Sequence, residues 1–560
     1  MKIKFKQRVS LIAYLLFTLN VFSQKNETVH IKVNLTETGN ERKPIWAWFG
    51  YDEPNYTYMK DGKKLLGEIA ALSPVPVYIR THGLLVTGDG TASLKWGSTN
   101  AYTEDSNGNP IYDWHIIDRI FDTYIKLGMK PLAQIGFMPE ALSTHPQPYK
   151  HHWDPNNKHS DIFTGWAYPP KDYKKWAELV FQWVKHCVER YGETEVASWY
   201  WEVWNEPDIP YWKGTLQEYC KIYDYAADAV KRALLSARVG GADVTGGGAK
   251  YLDTFIRHCL YDTNYATGRI GSPLDLVSFH AKGSPRLVHD TVVMGISNQL
   301  KNIVDNFTVI SSFGQLKNIP VIIGESDPEG CAACSMSTHP ENAYRNGTMY
   351  SSYEAAIFTR EYELARKFNI NLIGAVTWAF EFEDQLWFNG YRDLATNGVD
   401  KAVLNVFRMF GKMKGKEALT TSDHQYTLQF IIDSGIRKTQ TDVGALASTT
   451  GSSATIMVWN YHDFDKKNIT ANVVLDIAGI SADKVKVIEY RIDEVHSNAY
   501  TVWKKMGSPQ KPTASQTDEL EMAAQLSEMD KEKSVRPIKG ILTINTALPE
   551  QAVTLFKLSW

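Results

Sequence analysis

Two glutamates carry the clearest chemistry in this sequence. Glu206 follows the aromatic and β-branched run that opens WYWEVWNEPDIPYW (Trp199 to Trp212), and Glu325 ends the run PVIIGE. An unbroken apolar run reads as a strand buried on both faces. In a barrel of parallel strands only the C-terminal strand ends open to ligand, so an acid at such an end points into the cleft. Pro207 cannot continue a ladder, which fixes the exit of the chain beside Glu206. A pair of carboxyl groups, one that gives a proton and one that stays ionised, is what glycosidic bond cleavage requires.

Other strand ends repeat the pattern. Val77 to His82 ends on Arg80 and His82, Leu274 to His280 ends on an imidazole with Lys282 just beyond, and Leu372 to Phe380 carries Trp378. Ile45 to Phe49, Pro131 to Phe137 and Val239 to Asp243 complete eight apolar segments. Helical spacing separates them at Trp114 to Leu127, Asp172 to Tyr191, Tyr219 to Leu235, Leu252 to Tyr261, Asn298 to Phe313 and Tyr353 to Phe368. Strands alternating with helices predict an α/β fold, a (β/α)8 TIM barrel, over residues 41–415. Beyond Gly415 the segments Thr427 to Ile432, Thr455 to Trp459, Asn472 to Ile477, Val485 to Ile492, Ile541 to Asn545 and Ala552 to Leu558 are short and alternate. They predict an accessory antiparallel β-sandwich over 416–560, with a helical insertion near 510–536 and an extra strand from residues 24–40.

The Trp-Asn-Glu-Pro and Ile-Gly-Glu-Ser segments resemble those of glycoside hydrolase clan A. Within it the chain is similar to family 39, home of β-D-xylosidases and α-L-iduronidases, over roughly residues 40–560. The segments His496 to Tyr500 and Gly507 to Pro509, outside the barrel, belong to the likeness. The resemblance implies a retaining double displacement, with Glu206 as general acid/base, Glu325 as nucleophile and the two about 5 to 5.5 Å apart. It implies that Arg80 bonds the nucleophile, that His82 contacts the sugar and that Asn205 binds the 2-hydroxyl. His280 then holds Glu325 or the sugar, and Trp378 lies under the ring as a platform.

The two substrate classes share ring stereochemistry through C4 and differ at C5, where a uronide bears a carboxylate. A uronate wants a cation or a cluster of N–H donors, and Lys282 in HAKGSP is the candidate cation. The same Lys could meet a neutral hydroxyl or a charged neighbouring residue of the polymer. A secreted β-D-xylosidase-like exo-enzyme acting on plant or algal glycans is the leading expectation. Alternatives are an iduronidase-like or arabinosyl-disaccharide-releasing relative, an endo-glycanase with an open groove, and a non-catalytic carbohydrate-binding protein.

A net charge of −3 gives no reason to expect nucleic acid or an anionic membrane as partner, and oligomeric state is not legible. Lys2, Lys4, Lys6 and Arg8 precede the apolar run Leu11 to Phe17, the pattern of a signal peptide over residues 1–23 and hence of export to the periplasm or beyond. The five cysteines are too few for a disulfide framework. Cys331 and Cys334 sit in the loop after Glu325 and suit a local disulfide or two free thiols. His151, His152 and His159 lack companions at ligand spacing, so neither a metal nor any cofactor is expected.

Overall fold

The computed structural model describes residues 27–72, 75–92, 97–151, 162–163, 165–378, 381–436, 441–465, 469–529 and 532–560. The expected signal peptide, His152, His159 and the end of the eighth strand at Phe380 lie outside these residues.

The barrel strands are β2 (Trp48–Tyr51), β3 (Tyr78–Thr81), β4 (Lys130–Ile135), β5 (Tyr200–Val203), β6 (Arg238–Val244), β7 (Leu276–Lys282), β8 (Val321–Asp327), β9 (Leu372–Ala375) and β10 (Thr377–Trp378), numbered after β1 (Glu27–Glu41). They pair in sequence order and in parallel, and β10 pairs with β2. Only Val376 separates β9 from β10. Its N–H donates to Ile323 O at 2.8 Å and its carbonyl accepts from Ser326 N at 2.7 Å, so the two pieces form one interrupted strand that closes an eight-membered ring.

Side chains on alternate strand positions fill the lumen in layers. Trp48, Tyr78 and Tyr200 pack together at the N-terminal end, with Trp48 stacked on Tyr78 at 4.0 Å. Two residues further along the same strands stand Gly50, Arg80 and Glu202, so the lumen changes from aromatic to charged within one repeat. Intervening helices seal the outside: Trp183 of the helix Tyr173–Tyr191 meets Trp201 edge-to-face at 5.2 Å. That helix begins where Asp172 accepts from Lys174 N at 2.7 Å, a side-chain cap on an orphan donor.

Apart from four short two-stranded ribbons in the barrel's loops, the remaining described strands form, with β1, one ten-stranded sheet. They are β11 (Lys416–Ser422), β12 (Asp442–Thr449), β13 (Ser453–Tyr461), β14 (Thr470–Ala478), β15 (Val485–Ile492), β16 (Ser527–Glu528), β17 (Lys533–Val535), β18 (Ile541–Pro549) and β19 (Val553–Ser559). The order is β16-β15-β19-β13-β12-β11-β1-β14-β18, with β17 also on β15. Val29, Ile31, Ile456, Val473, Leu542 and Phe556 share its apolar core, whereas Met457, Trp459 and Leu555 turn the other way, into the core of the barrel.

Two features differ from expectation. The sheet is mixed, because β1 runs parallel to β14; β1 enters from ahead of the barrel, so no hairpin dictates its direction. Thr427 to Ile432 is no strand: Leu428–Ser434 is a helix, and Thr427 caps it by accepting from Phe430 N at 3.3 Å. A local cap outweighs the β-preference of the aromatic and β-branched residues there. The helical insertion is Ala514–Ala524, with a capping box between Thr513 and Gln516.

Candidate active site

Glu206 is placed by strained backbone. After β5 the chain turns through Trp204, with φ 74°, and Glu206, with φ 45°, both in the left-handed region that costs a non-glycine residue energy. The Glu206 N–H donates to the carbonyl of Asp243 at 3.0 Å, and Asp243, with φ 52°, is left-handed as well. Trp204 anchors the turn by packing edge-on to Phe137 and to Trp212, each at 5.0 Å. Glu206 Oε1 accepts from His280 Nδ1 at 2.8 Å.

Glu325 stands inside β8, its side chain only 7% exposed. Lys282 Nζ lies 2.7 Å from Oε2, while Arg80 Nη1, His280 Nδ1 and His82 Nε2 are 3.5, 3.7 and 3.9 Å from Oε1. Arg392 Nη2 is 3.9 Å from Oε2. Burial by itself favours the protonated acid, but His280, Lys282 and Arg392 override it and hold this carboxyl well below the ordinary glutamate range. The glutamates share a neighbour: one His280 nitrogen is 2.8 Å from an oxygen of Glu206 and 3.7 Å from one of Glu325. These oxygens are thus at most about 6.5 Å apart, the sum of the two distances, where the inverting spacing of roughly 6.5–9.5 Å only begins.

The other residues singled out by sequence converge on the same point. Arg80 is fully buried and, as the resemblance implies, reaches Glu325, but its shorter bonds go elsewhere. Its Nε bonds Glu202 at 2.6 Å and its Nη2 bonds Asp243, so Glu325 receives only the more distant Nη1. Arg80 Nη1 also reaches His82 Nε2 at 2.6 Å. A guanidinium can only donate, so Nε2 accepts and the His82 proton sits on Nδ1, 2.7 Å from Asp52. Burial, then the Arg80 charge, push His82 down to about 4, leaving it neutral. Asn205 Oδ1 accepts from Arg80 at 3.1 Å. Trp378 lies beneath Arg80, 5.1 Å from ring to guanidinium, and packs on His82 at 4.5 Å. Gly50 makes room for that indole, since a Cβ there would overlap it. Lys282 bonds Asp327 at 2.9 Å as well as Glu325, so its charge is committed to two carboxylates of the protein.

Asp52, His82, Asn205, Glu206, Ile209, Tyr211, Glu325, Glu329, Gly330, Cys331 and Trp378 line a cavity of about 240 Å³. Cys331 and Cys334 are joined as a disulfide, with Cα atoms 5.4 Å apart. Among the described residues no group of His, Cys, Asp and Glu is arranged to hold a metal ion.

Several residues of the site escaped the sequence reading. Asp243 closes a predicted strand as Glu206 and Glu325 do, so the rule that found those acids applied to it equally. Asp327 lies two positions past Glu325 on the same face, and Asp52 just past β2. Arg392 had no signal, because it comes from the irregular stretch after the barrel's last strand. It is buried, donates to Asp327 and to the Glu329 carbonyl, and its Nη2 has no hydrogen-bond partner among the described residues.

Comparison with known proteins agrees with this architecture. The profile of Glycosyl hydrolases family 39 matches residues 29–540. A β-xylosidase of Geobacillus stearothermophilus is 27% identical over 488 residues, 86% of each chain. The α-L-iduronidase of Mus musculus is 23% identical over 422 residues, 68% of this chain and 61% of that one. In three dimensions a monomeric β-xylosidase from Caulobacter crescentus CB15 superposes with a TM-score of 0.73 at 21% identity, covering 95% of this chain and 99% of the other. The family 39 enzyme of Xanthomonas axonopodis pv. citri gives 0.74 at 19% identity, over 97% and 99%. With most of the chain matched by the family profile, this protein belongs to glycosyl hydrolases family 39 and is a retaining glycoside hydrolase.

Proposed function

We propose that the protein is an exported exo-glycosidase that releases a terminal neutral sugar, of the β-D-xyloside type, from plant or algal glycans. The observation that carries this reading is the lining of the cavity. It presents Asp52, Glu206, Glu325 and Glu329 and, among the described residues, neither Lys nor Arg. The nearby cations Arg80, Lys282 and Arg392 are bonded to Glu202, Asp243, Glu325 and Asp327. A uronate carboxylate entering such a space meets like charge, whereas a pentoside brings only hydroxyl groups, which carboxylates and Asn205 can bind.

Glu325 is the nucleophile. It is ionised, buried and pinned at Oε2 by Lys282, which leaves Oε1 toward Glu206. Glu206 is the acid that protonates the leaving oxygen and then the base that takes a proton from water. Asn205 turns its oxygen to Arg80, so its amide N–H groups are left for the 2-hydroxyl. Trp378, packed against Gly50 and lining the cavity, is the apolar platform for the ring. A small cavity, walled on one side by Glu329, Gly330 and Cys331 of the loop after β8, suits a chain end better than the middle of a polymer. Export is supported by the basic-then-apolar leader and by the Cys331–Cys334 disulfide, a bond that persists outside the reducing cytosol.

The test is side-by-side hydrolysis of p-nitrophenyl β-D-xyloside, p-nitrophenyl α-L-arabinoside and a 4-methylumbelliferyl α-L-iduronide. The xyloside is expected to give the highest kcat/KM. A preference for the iduronide would overturn the neutral-sugar reading while leaving the catalytic pair in place.

A further inference from the structure

His280 is buried completely, yet carboxylates meet both of its nitrogens. Nδ1 lies 2.8 Å from Glu206 and 3.7 Å from Glu325, and Nε2 lies 2.7 Å from Asp243. Asp243 and Glu325 are the ionised carboxylates here, one at each nitrogen, and an ionised carboxylate only accepts; an N–H toward both of them is something only the imidazolium carries. Asp243 is in turn held by the guanidinium of Arg80, and its backbone carbonyl fixes the N–H of Glu206. Gly324, immediately before Glu325, leaves the space that the Asp243 carboxylate fills, since a Cβ there would overlap it. One aspartate therefore ties together the backbone of one catalytic glutamate, the approach to the other and the ring between them.

We propose that Asp243 and His280 form a positioning dyad that keeps a fixed positive charge between the two catalytic carboxylates, so that it serves whichever one is negative at each step. This rests on the roles given above to Glu206 and Glu325. In the first step Glu325 forms a bond to C1, the bond from C1 to the leaving oxygen breaks, and the Glu206 proton passes to that oxygen. Negative charge thus disappears from Glu325 and appears on Glu206. In the second step water attacks C1, its proton goes to Glu206, and Glu325 recovers its electron pair. The charge moves only from one side of Nδ1 to the other, a preorganised arrangement that needs no rearrangement of solvent.

The groups facing the ring are consistent with a permanent charge. Three carboxylates contact it, Glu206 from the loop after β5, Asp243 from β6 and Glu325 from β8, while the cations Arg80 of β3 and Lys282 of β7 pair with Asp243 and Glu325 behind them. Burial alone lowers the imidazole, but Asp243 first and then Glu325 outweigh it and push His280 up to about 10.

The test uses the full-length enzyme labelled with 15N-histidine, the His280 signal being assigned by its loss in His280→Gln. Doubly protonated nitrogen shifts at pH 7.5 are expected in the wild type, and a neutral ring in Asp243→Asn. Kinetics on a 2,4-dinitrophenyl xyloside, whose leaving group needs no acid, then isolate the second step. Removing the cation makes the Glu206 carboxylate harder to form, so the acidic limb of kcat should move to higher pH in Asp243→Asn, with kcat down about tenfold or more. A neutral His280 in the wild type would overturn the dyad, and so would an unmoved acidic limb in a folded variant. If Asp243→Asn does not fold, the acidic limb of His280→Gln decides in the same way. If instead Glu325→Gln keeps wild-type turnover, it is the assignment of the nucleophile that fails, whatever the state of His280.

Discussion

The mouth of the barrel and the core of the ten-stranded sheet are built on opposite principles. In the sheet Val29, Ile31, Val33, Val473, Leu475 and Ile477 are buried in alternation and pack into one apolar core. At the barrel mouth Arg80, Glu202, Asp243, His280, Glu325, Asp327 and Arg392 are equally buried and are almost all charged. Taking so many charges out of water costs more than an apolar replacement would, so the arrangement is not explained by stability. Left-handed backbone at Trp204, Glu206 and Asp243 adds strain in the same few ångströms. One region is optimised to fold, and the other, under the proposed function, is maintained against folding cost for the sake of a reaction.

The comparison can be broken at either end. Glu325→Gln should lower kcat by roughly 10³-fold or more, and Glu206→Gln by roughly 10²–10⁴-fold on substrates with poor leaving groups, each in a protein that still folds cooperatively. A variant that loses its fold together with its activity would undo the separation of the two regions. Arg392→Met leaves Asp327 and Glu325 short of a counter-charge. We expect kcat to fall about tenfold or more and stability by about 3–5 kcal/mol, the effect of breaking a buried ion pair, read from kinetics and urea unfolding together.

Phe556→Ala, in the sheet core, should cost about 3–5 kcal/mol yet leave kcat/KM at 25 °C within twofold. A large loss of activity in the folded variant would mean that the sheet reaches the site. The mouth should also show its charges in the pH dependence of stability. His280 is raised to about 10 when folded, so it contributes stability that is complete below its unfolded value near 6.5 and lost as pH rises through about 10. The melting temperature should therefore decline over that window and decline less in His280→Gln. Gly50→Ala is the mildest change: its methyl displaces the Trp378 indole, so KM should rise severalfold with the fold intact.

How much the sequence discloses follows the same division. Barrel strands were legible because burial on both faces leaves unbroken apolar runs, and the acids were legible because they interrupt those runs at the open end. The sheet was legible in part. Its alternation marks Asn472 to Ile477 well, but β11, with Lys416, Glu417 and the threonines after it, lacks an apolar face to read. Leu428–Ser434 misled because a cap of one hydroxyl decided between helix and strand. At the site, the identities of Glu206, Glu325, Arg80 and His280 were readable but not who pairs with whom. That Lys282 and Arg392 compensate Glu325, while Arg80 serves Glu202 and Asp243, is set by distances across the lumen that no local pattern encodes.

The central claim is that the Glu325 carboxylate attacks the sugar while Glu206 stands across the ring from it. Incubation with 2,4-dinitrophenyl 2-deoxy-2-fluoro-β-D-xyloside, followed by proteolysis and mass spectrometry, tests it directly, because the fluorine slows the second step and lets the glycosyl-enzyme accumulate. The account predicts one sugar per chain, attached to the peptide carrying Glu325. A label on Glu206, or turnover with inverted anomeric configuration and no label, would contradict it.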